Sequence, residues 1–210
     1  AARLGTEILL PYTHRGYTYQ QYLVTLVHQA LVLPYCVVAG MLGTLDGATN
    51  AVYILTGAYI FSDSIINYSP VAGCVSGVDG APSFSWGVHA HHFLTILLCL
   101  LGTTLPKSLE FEGACCILLG EAGSLWITIT LLRPSAANFF LRYYSFLVTR
   151  LVSFAIAIDM ARRLSFPANL ILLLCALGLA LDNRKTLQAM GSAAQRLSGA
   201  GFANQRGLSR

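Results

Sequence analysis

Charge is what this sequence has least of. Asp, Glu, Lys and Arg together make up only 10% of the residues, against about 25% in a typical water-soluble domain. Hydrophobic residues make up 55%, and the mean hydropathy is +0.63. Water is therefore not the main solvent of this chain. Disorder is excluded over most of its length, because disorder needs high charge and low hydrophobicity. Several motifs are missing as well. There is no CxxC pair, no GxSxG elbow, no Gly-rich phosphate loop and no secretory signal pattern, which removes the usual sequence grounds for a zinc, serine-hydrolase or nucleotide site. Aromatic and basic residues do not interleave as they do in single-strand nucleic-acid binders, so no nucleic-acid partner is expected. Five of the six cysteines (Cys36, Cys99, Cys115, Cys116 and Cys175) lie in apolar runs, and only Cys74 lies in a polar stretch. They read as small buried hydrophobes rather than disulfides or ligands.

What the chain does have is long apolar runs. A helix crosses a bilayer with about 20 mostly apolar residues, and about six segments approach that length: Tyr22 to Gly43, Ala51 to Asn67, Val88 to Leu105, Gly113 to Leu132, Phe139 to Met160, and Pro167 to Leu181. The runs are continuous and rich in Leu and Ala. Barrel strands would alternate apolar and polar residues instead. The predicted fold is an all-α, multi-pass helix bundle in three parts: an N-terminal interfacial segment (1–20), a membrane bundle (21–182) and a basic C-terminal tail (183–210), expected to be peripheral, part helix and part disordered. Pro34 lies inside the first run and predicts a kink there. The Gly/Pro/Ser-rich stretch from Ser69 to Ser85 predicts the longest interior loop.

If all six runs cross, nine basic residues fall on one side: Arg3, Arg15, Arg133, Arg142, Arg184, Lys185, Arg196, Arg206 and Arg210. Lys107, Arg162 and Arg163 fall on the other, and Arg150 stays within the bilayer. The positive-inside rule then places both termini in the cytosol, or in the interior of an organelle. The chain opens on Ala-Ala rather than Met. That fits loss of an initiator Met, a boundary in a longer chain, or removal of a targeting peptide. The expected locations are the endoplasmic reticulum or an organellar membrane such as the mitochondrial inner membrane.

An ionisable group in hydrocarbon is costly and should face protein or a wet cavity. Five stand out: His28, Asp63, His92, Glu121 and Arg150. They come from five runs but share similar depths, so they could meet in one buried site. Arg150 needs a counter-charge, which Glu121 or Asp63 could supply. If the site is catalytic, His92 suits a general base and Asp63 suits orienting it. The string His89-Ala-His91-His92 invites a metal reading. Adjacent His91 and His92, however, point about 100° apart on a helix, and the chain has too few histidines for a di-iron cluster. A bis-His haem would have only His28 and His92 to offer. No metal or other cofactor is expected.

Five motifs occur in order: Val24-Thr-Leu-Val-His28, Gly57-Ala-Tyr-Ile-Phe-Ser-Asp63, His91-His92-Phe-Leu-Thr95, Gly120-Glu121-Ala-Gly-Ser124 with Leu131-Leu132-Arg133 after it, and Phe146-Leu-Val-Thr-Arg150. From about Tyr19 to Leu181 this arrangement resembles the TLC-domain family, the membrane domain shared by ceramide synthases and the translocating-chain-associated membrane protein. It is most similar to the small TLC-domain proteins associated with membrane lipid composition, which pair an Asp, a His-His and a helix-borne Glu-x-x-Ser. The resemblance implies a helical membrane bundle that handles lipid through Asp63, His91, His92, Glu121 and Ser124. The paired aspartates of ceramide synthases are absent where this chain has Gly120 to Ser124, so N-acyl transfer is not implied. Two functions follow as expectations. The favoured one is a lipid-binding membrane protein whose polar cluster (His28, His91, Glu121, Ser124, Arg150) meets a head group. The alternative is a non-catalytic accessory subunit of a larger membrane complex.

Overall fold

The computed structural model describes residues 13–14, 17–68, 86–133 and 135–207. The described chain is an all-α bundle. Its other regular element is a two-residue antiparallel ladder, β1 (Thr13–His14) against β2 (Tyr17–Thr18). The helices are α1 (Tyr19–Val27), a π-helical turn (His28–Val32), α2 (Leu33–Leu42), α3 (Ala48–Tyr68), α4 (Trp86–Gly102), α5 (Lys107–Leu132), α6 (Ala136–Arg163) and α7 (Ala168–Gly207). The first three form one helical stretch, so six stretches make the bundle. The stretch from Ser69 to Ser85 lies outside the described residues, as do most of residues 1–20.

Local chemistry explains the breaks. Pro34 has no N–H, and its ring crowds the carbonyl four residues back. The helix absorbs this by widening into the π turn directly upstream and then resumes, with Pro34 in the first turn of α2. Gly43 closes α2 in the left-handed region (φ 63°), and its N–H reaches the carbonyls of Ala39 and Gly40; glycine takes that conformation without a Cβ penalty. Pro106 immediately precedes α5. The Ser135 hydroxyl caps α6 by accepting from the Asn138 N–H at 3.1 Å.

Paired contacts along the helices show α3 antiparallel to α4 (Ser64 with His92, Gly57 with Cys99), α4 to α7 (His91 with Asp182, Leu94 with Gly178) and α5 to α6 (Cys116 with Ser153, Gly123 with Thr149). Helix α5 packs on α6, α6 on α7, α7 on α4, and α4 on α3; α3 packs in turn on α2 and α5. Helices α4 and α5 barely touch, which leaves space between them. Small residues let backbones approach elsewhere, as is usual in membrane bundles. A Cβ on Gly123 would collide with Thr149, and one on Gly102 would collide with the ring of Tyr53. Tyr53 is fully buried and donates its hydroxyl to the Glu110 carbonyl at 2.6 Å.

The outer surface of the bundle is far more apolar than a soluble protein's, and the core holds several polar side chains among its apolar ones. Large apolar side chains such as Leu31, Tyr35, Phe93, Val148 and Leu174 stand exposed, while His28, Gln29, Thr56, His92, Thr95, Thr130 and Asn183 are buried. Hydroxyls within the apolar helices return their hydrogen to their own helix: Thr95 to His91, Thr130 to Trp126 and Thr149 to Ser145. Such back-bonding satisfies a donor where lipid offers no partner. Among the described residues three helices are long and apolar enough to cross a membrane: Tyr22–Leu42, Lys107–Thr130 and Ala137–Arg163. Gly87–Gly102 is apolar but shorter. The chain thus fits an integral membrane protein.

The sequence predicts a basic C-terminal tail, part helix, from residue 183. The boundary expected at 182 lies inside α7, which continues unbroken to Gly207. Gly191 packs near Tyr143, in the first third of α6, and Met190 is buried. The polar run from Asp182 to Lys185 therefore sits alongside the bundle. Its charge hid this from the hydropathy reading.

Candidate functional site

Between α4, α5, α6 and α7, with Tyr53 of α3 behind, lies a cavity of about 690 Å³. Small-molecule sites span roughly 300–1,000 Å³. Its two ends differ. Leu101, Leu105, Met160 and Leu172 line one, and Glu121, Arg150, Asn183 and Arg184 line the other. His91 and Tyr143 join the polar end. On α7 the wall from Leu172 to Arg184 covers roughly 18 Å at ~1.5 Å per residue.

The polar end is built on one helical turn of α5. Gly120 and Ser124 lie four residues apart and so share a face. Arg150 of α6 lies across that face. Its Nη1 donates to the Gly120 carbonyl, and its Nη2 donates to Ser124 Oγ at 2.8 Å. Ser124 in turn donates to the Gly120 carbonyl at 3.3 Å. A Cβ on Gly120 would stand 3.3 Å from Arg150 Nη1, so the missing side chain makes room for the guanidinium. The Phe146 ring covers it from one side at 4.4 Å, a cation–π distance.

Glu121, one residue on, makes no direct bond to Arg150, although its charge is close enough to act on it. Its Oε2 accepts from Gln29 Nε2 at 2.8 Å. The expected ion pair of Arg150 with Glu121 or Asp63 is not formed; the arginine's hydrogen bonds go to neutral oxygens. The reason is angular: positions 120 and 124 face α6, whereas 121 lies about 100° around the helix.

The two adjacent histidines also diverge. His91 Nδ1 lies 3.0 Å from Asp182 Oδ2 on α7, at the cavity wall. His92 turns to α3, where its Nδ1 is 2.6 Å from Ser64 Oγ and its Nε2 is 3.6 Å from Asp63 Oδ2. Ser64 Oγ also lies 2.9 Å from the Ile60 carbonyl, so the hydroxyl ties His92 to the backbone of α3. Neither His92 nor Asp63 lines the cavity. His28, in the π turn, stacks on Tyr59 with ring centroids 4.5 Å apart, and Tyr59 shares a hydrogen bond with Thr25 at 2.8 Å. π turns mark functional positions in many helices, and this one presents both His28 and Gln29 to the interior.

The sequence-derived residues therefore form three neighbouring groups. Arg150 and Glu121 line the cavity's polar end, with Ser124 behind Arg150 and His91 at the wall. His92, Ser64 and Asp63 join α3 to α4. His28 and Tyr59 join the π turn to α3. Cross-helix contacts keep all three at similar depth, but only the first faces the open volume. Among the described residues no group of three or more His, Cys, Asp or Glu gathers to hold a metal ion. Sequence reasoning missed Gln29, Tyr143, Asp182, Asn183 and Arg184. A His one turn from Leu94, itself opposed to Gly178, gave no pairing signal in the sequence. The chain matches no protein-family model, no curated protein and no solved structure.

Proposed function

We propose that this protein is an integral membrane protein that holds one membrane lipid inside a TLC-like helix bundle, chain in the apolar end of the cavity and head group at Arg150. The observation that carries the reading is the polarity gradient of one cavity, from Leu105 and Leu172 to Arg150 and Arg184. The ~18 Å of α7 from the apolar end at Leu172 to the polar end at Arg184 is close to the thickness of one leaflet, half of the ~30 Å hydrocarbon core. Six crossings, with both termini on the side carrying nine basic residues, complete the reading. The ring of α4 to α7 encloses the chain from several sides, as a carrier or regulator of lipid composition requires. Catalysis is not needed, since His92 and Asp63 face away from the cavity.

Native mass spectrometry of the protein in a mild detergent tests this. One retained lipid per chain supports it, and loss of that lipid in Ala176→Phe, which fills the apolar end, ties it to the cavity. Protein that carries no lipid in either form contradicts it.

One observation favours a second reading, an accessory subunit of a larger membrane assembly. Helix α7 has 40 residues, hence ~60 Å of length at ~1.5 Å per residue, about twice the hydrocarbon core. Such a helix offers a partner a site beyond the bundle. Migration on a native gel after mild extraction tests it: a single small species counts against it.

A further inference from the structure

Resting on the lipid-binding reading above, we infer that the ligand is a single-chain amphiphile with a compact anionic head, a carboxylate or a phosphate monoester, bound between Arg150 and Arg184. Three observations carry this. First, Arg150 lines the cavity, and the two hydrogen bonds its guanidinium makes go to Gly120 O and Ser124 Oγ, both neutral. A guanidinium has five N–H donors, so donors remain for a ligand. Glu121 is close enough to act on Arg150 through its charge but makes no direct ion pair with it, so a buried cation bonded directly only to neutral oxygens is incompletely compensated, and an oxyanion is the group that completes it, with bidentate geometry available.

Second, the two carboxylates at this level are engaged by other partners. Glu121 Oε2 takes the Gln29 amide, and Asp182 Oδ2 meets His91. Arg184, two residues beyond Asp182, lines the cavity without an ion pair to either. Its side chain and that of Gln188 are exposed as well as lining, so the cavity's mouth lies at the cationic end. A head group entering there passes Arg184 before it reaches Arg150.

Third, the volume fits one chain. At about 690 Å³ the cavity is within the range of sites for single drug-sized molecules, roughly 300–1,000 Å³. The rings and branched side chains of Tyr53, Leu101 and Leu172 close the far end.

The test is a binding series on the full-length protein in neutral detergent, read by native mass spectrometry and by ligand-induced thermal shift. The probes share one saturated chain and differ in head: a fatty acid, a lysophosphatidate, a fatty alcohol and an alkyl trimethylammonium. The expected result is that the acid or the lysophosphatidate binds at least about tenfold more tightly than the alcohol, with the ammonium weakest. Whichever anion is tighter identifies carboxylate or phosphate as the source. Arg150→Gln should abolish the preference for anions while leaving alcohol binding intact. Arg184→Gln, at an exposed position that leaves the fold undisturbed, should weaken anion binding severalfold, so the proposal stays testable if Arg150→Gln fails to fold. Equal binding of alcohol and anions, or an unchanged preference in both variants, overturns the anionic head while leaving lipid binding standing. Binding of none of the probes overturns the lipid reading itself.

Discussion

Arg150 rests on Ser124 and on the carbonyl of Gly120, and not on Glu121, the carboxylate beside them. That arrangement leaves a cation facing an amphipathic cavity and fixes α6 against α5 at one turn. The Gly120-Glu121-Ala-Gly-Ser124 motif thereby acquires a physical explanation for most of its positions. Gly120 and Gly123 admit α6, Ser124 accepts from the guanidinium, and Glu121 reaches across to Gln29.

Replacing Gly123 with Ala should therefore separate α5 from α6. The added Cβ meets Thr149 and the Phe146 backbone, and overpacking of this kind costs about 1–3 kcal/mol. A lower unfolding temperature in detergent is the expected outcome. An Ala122→Leu control should have a smaller effect, and equal effects from both would count against the close contact.

The Gln29–Glu121 hydrogen bond joins the π turn to α5. A double-mutant cycle of Gln29→Leu and Glu121→Gln should return a coupling of about 1 kcal/mol, between the mean for interhelical bonds in membranes and the value for bonds to charged groups. Additive effects of the two changes would show that the bond does not stabilise the bundle.

His92→Ala should lower thermal stability and leave bound lipid unchanged. The ring joins α4 to Ser64 and Asp63 on α3 and does not line the cavity. Lipid content per chain, measured beside the unfolding temperature, separates the two roles. Loss of lipid at unchanged stability would return His92 to the binding site.

Tyr53→Phe removes one hydrogen bond and leaves the ring in place. The Glu110 carbonyl keeps its helical donor within α5, so the loss is one net hydrogen bond, about 0.5–1.5 kcal/mol. The variant should unfold at lower temperature with its lipid still bound. Gly102→Ala, which drives a Cβ into the same ring, should cost at least as much.

The all-α bundle and the shared depth of the polar residues were readable from the apolar runs and from positions within them. The divergence of His91 and His92 was readable too, because adjacent helical residues cannot share a face. Two things were not. The Arg150 pairing was read by charge, when helix face decides it: 120 and 124 share a face and 121 does not. Hydropathy marks only the apolar part of the last helix, to Leu181, whereas α7 continues to Gly207 with Asn183, Arg184 and Gln188 on its cavity face. The weak contact between α4 and α5, which creates the cavity, arises from the packing of all the helices together and leaves no local mark in the sequence.

The most direct test of lipid occupancy is photo-crosslinking with an acyl chain that carries a diazirine near its end, in purified protein, with adducts mapped by peptide mass spectrometry. The account predicts adducts on inward residues of the apolar end, such as Leu101, Phe154 and Leu172. Adducts confined to outward residues such as Phe93, Val148 and Leu174 would contradict it.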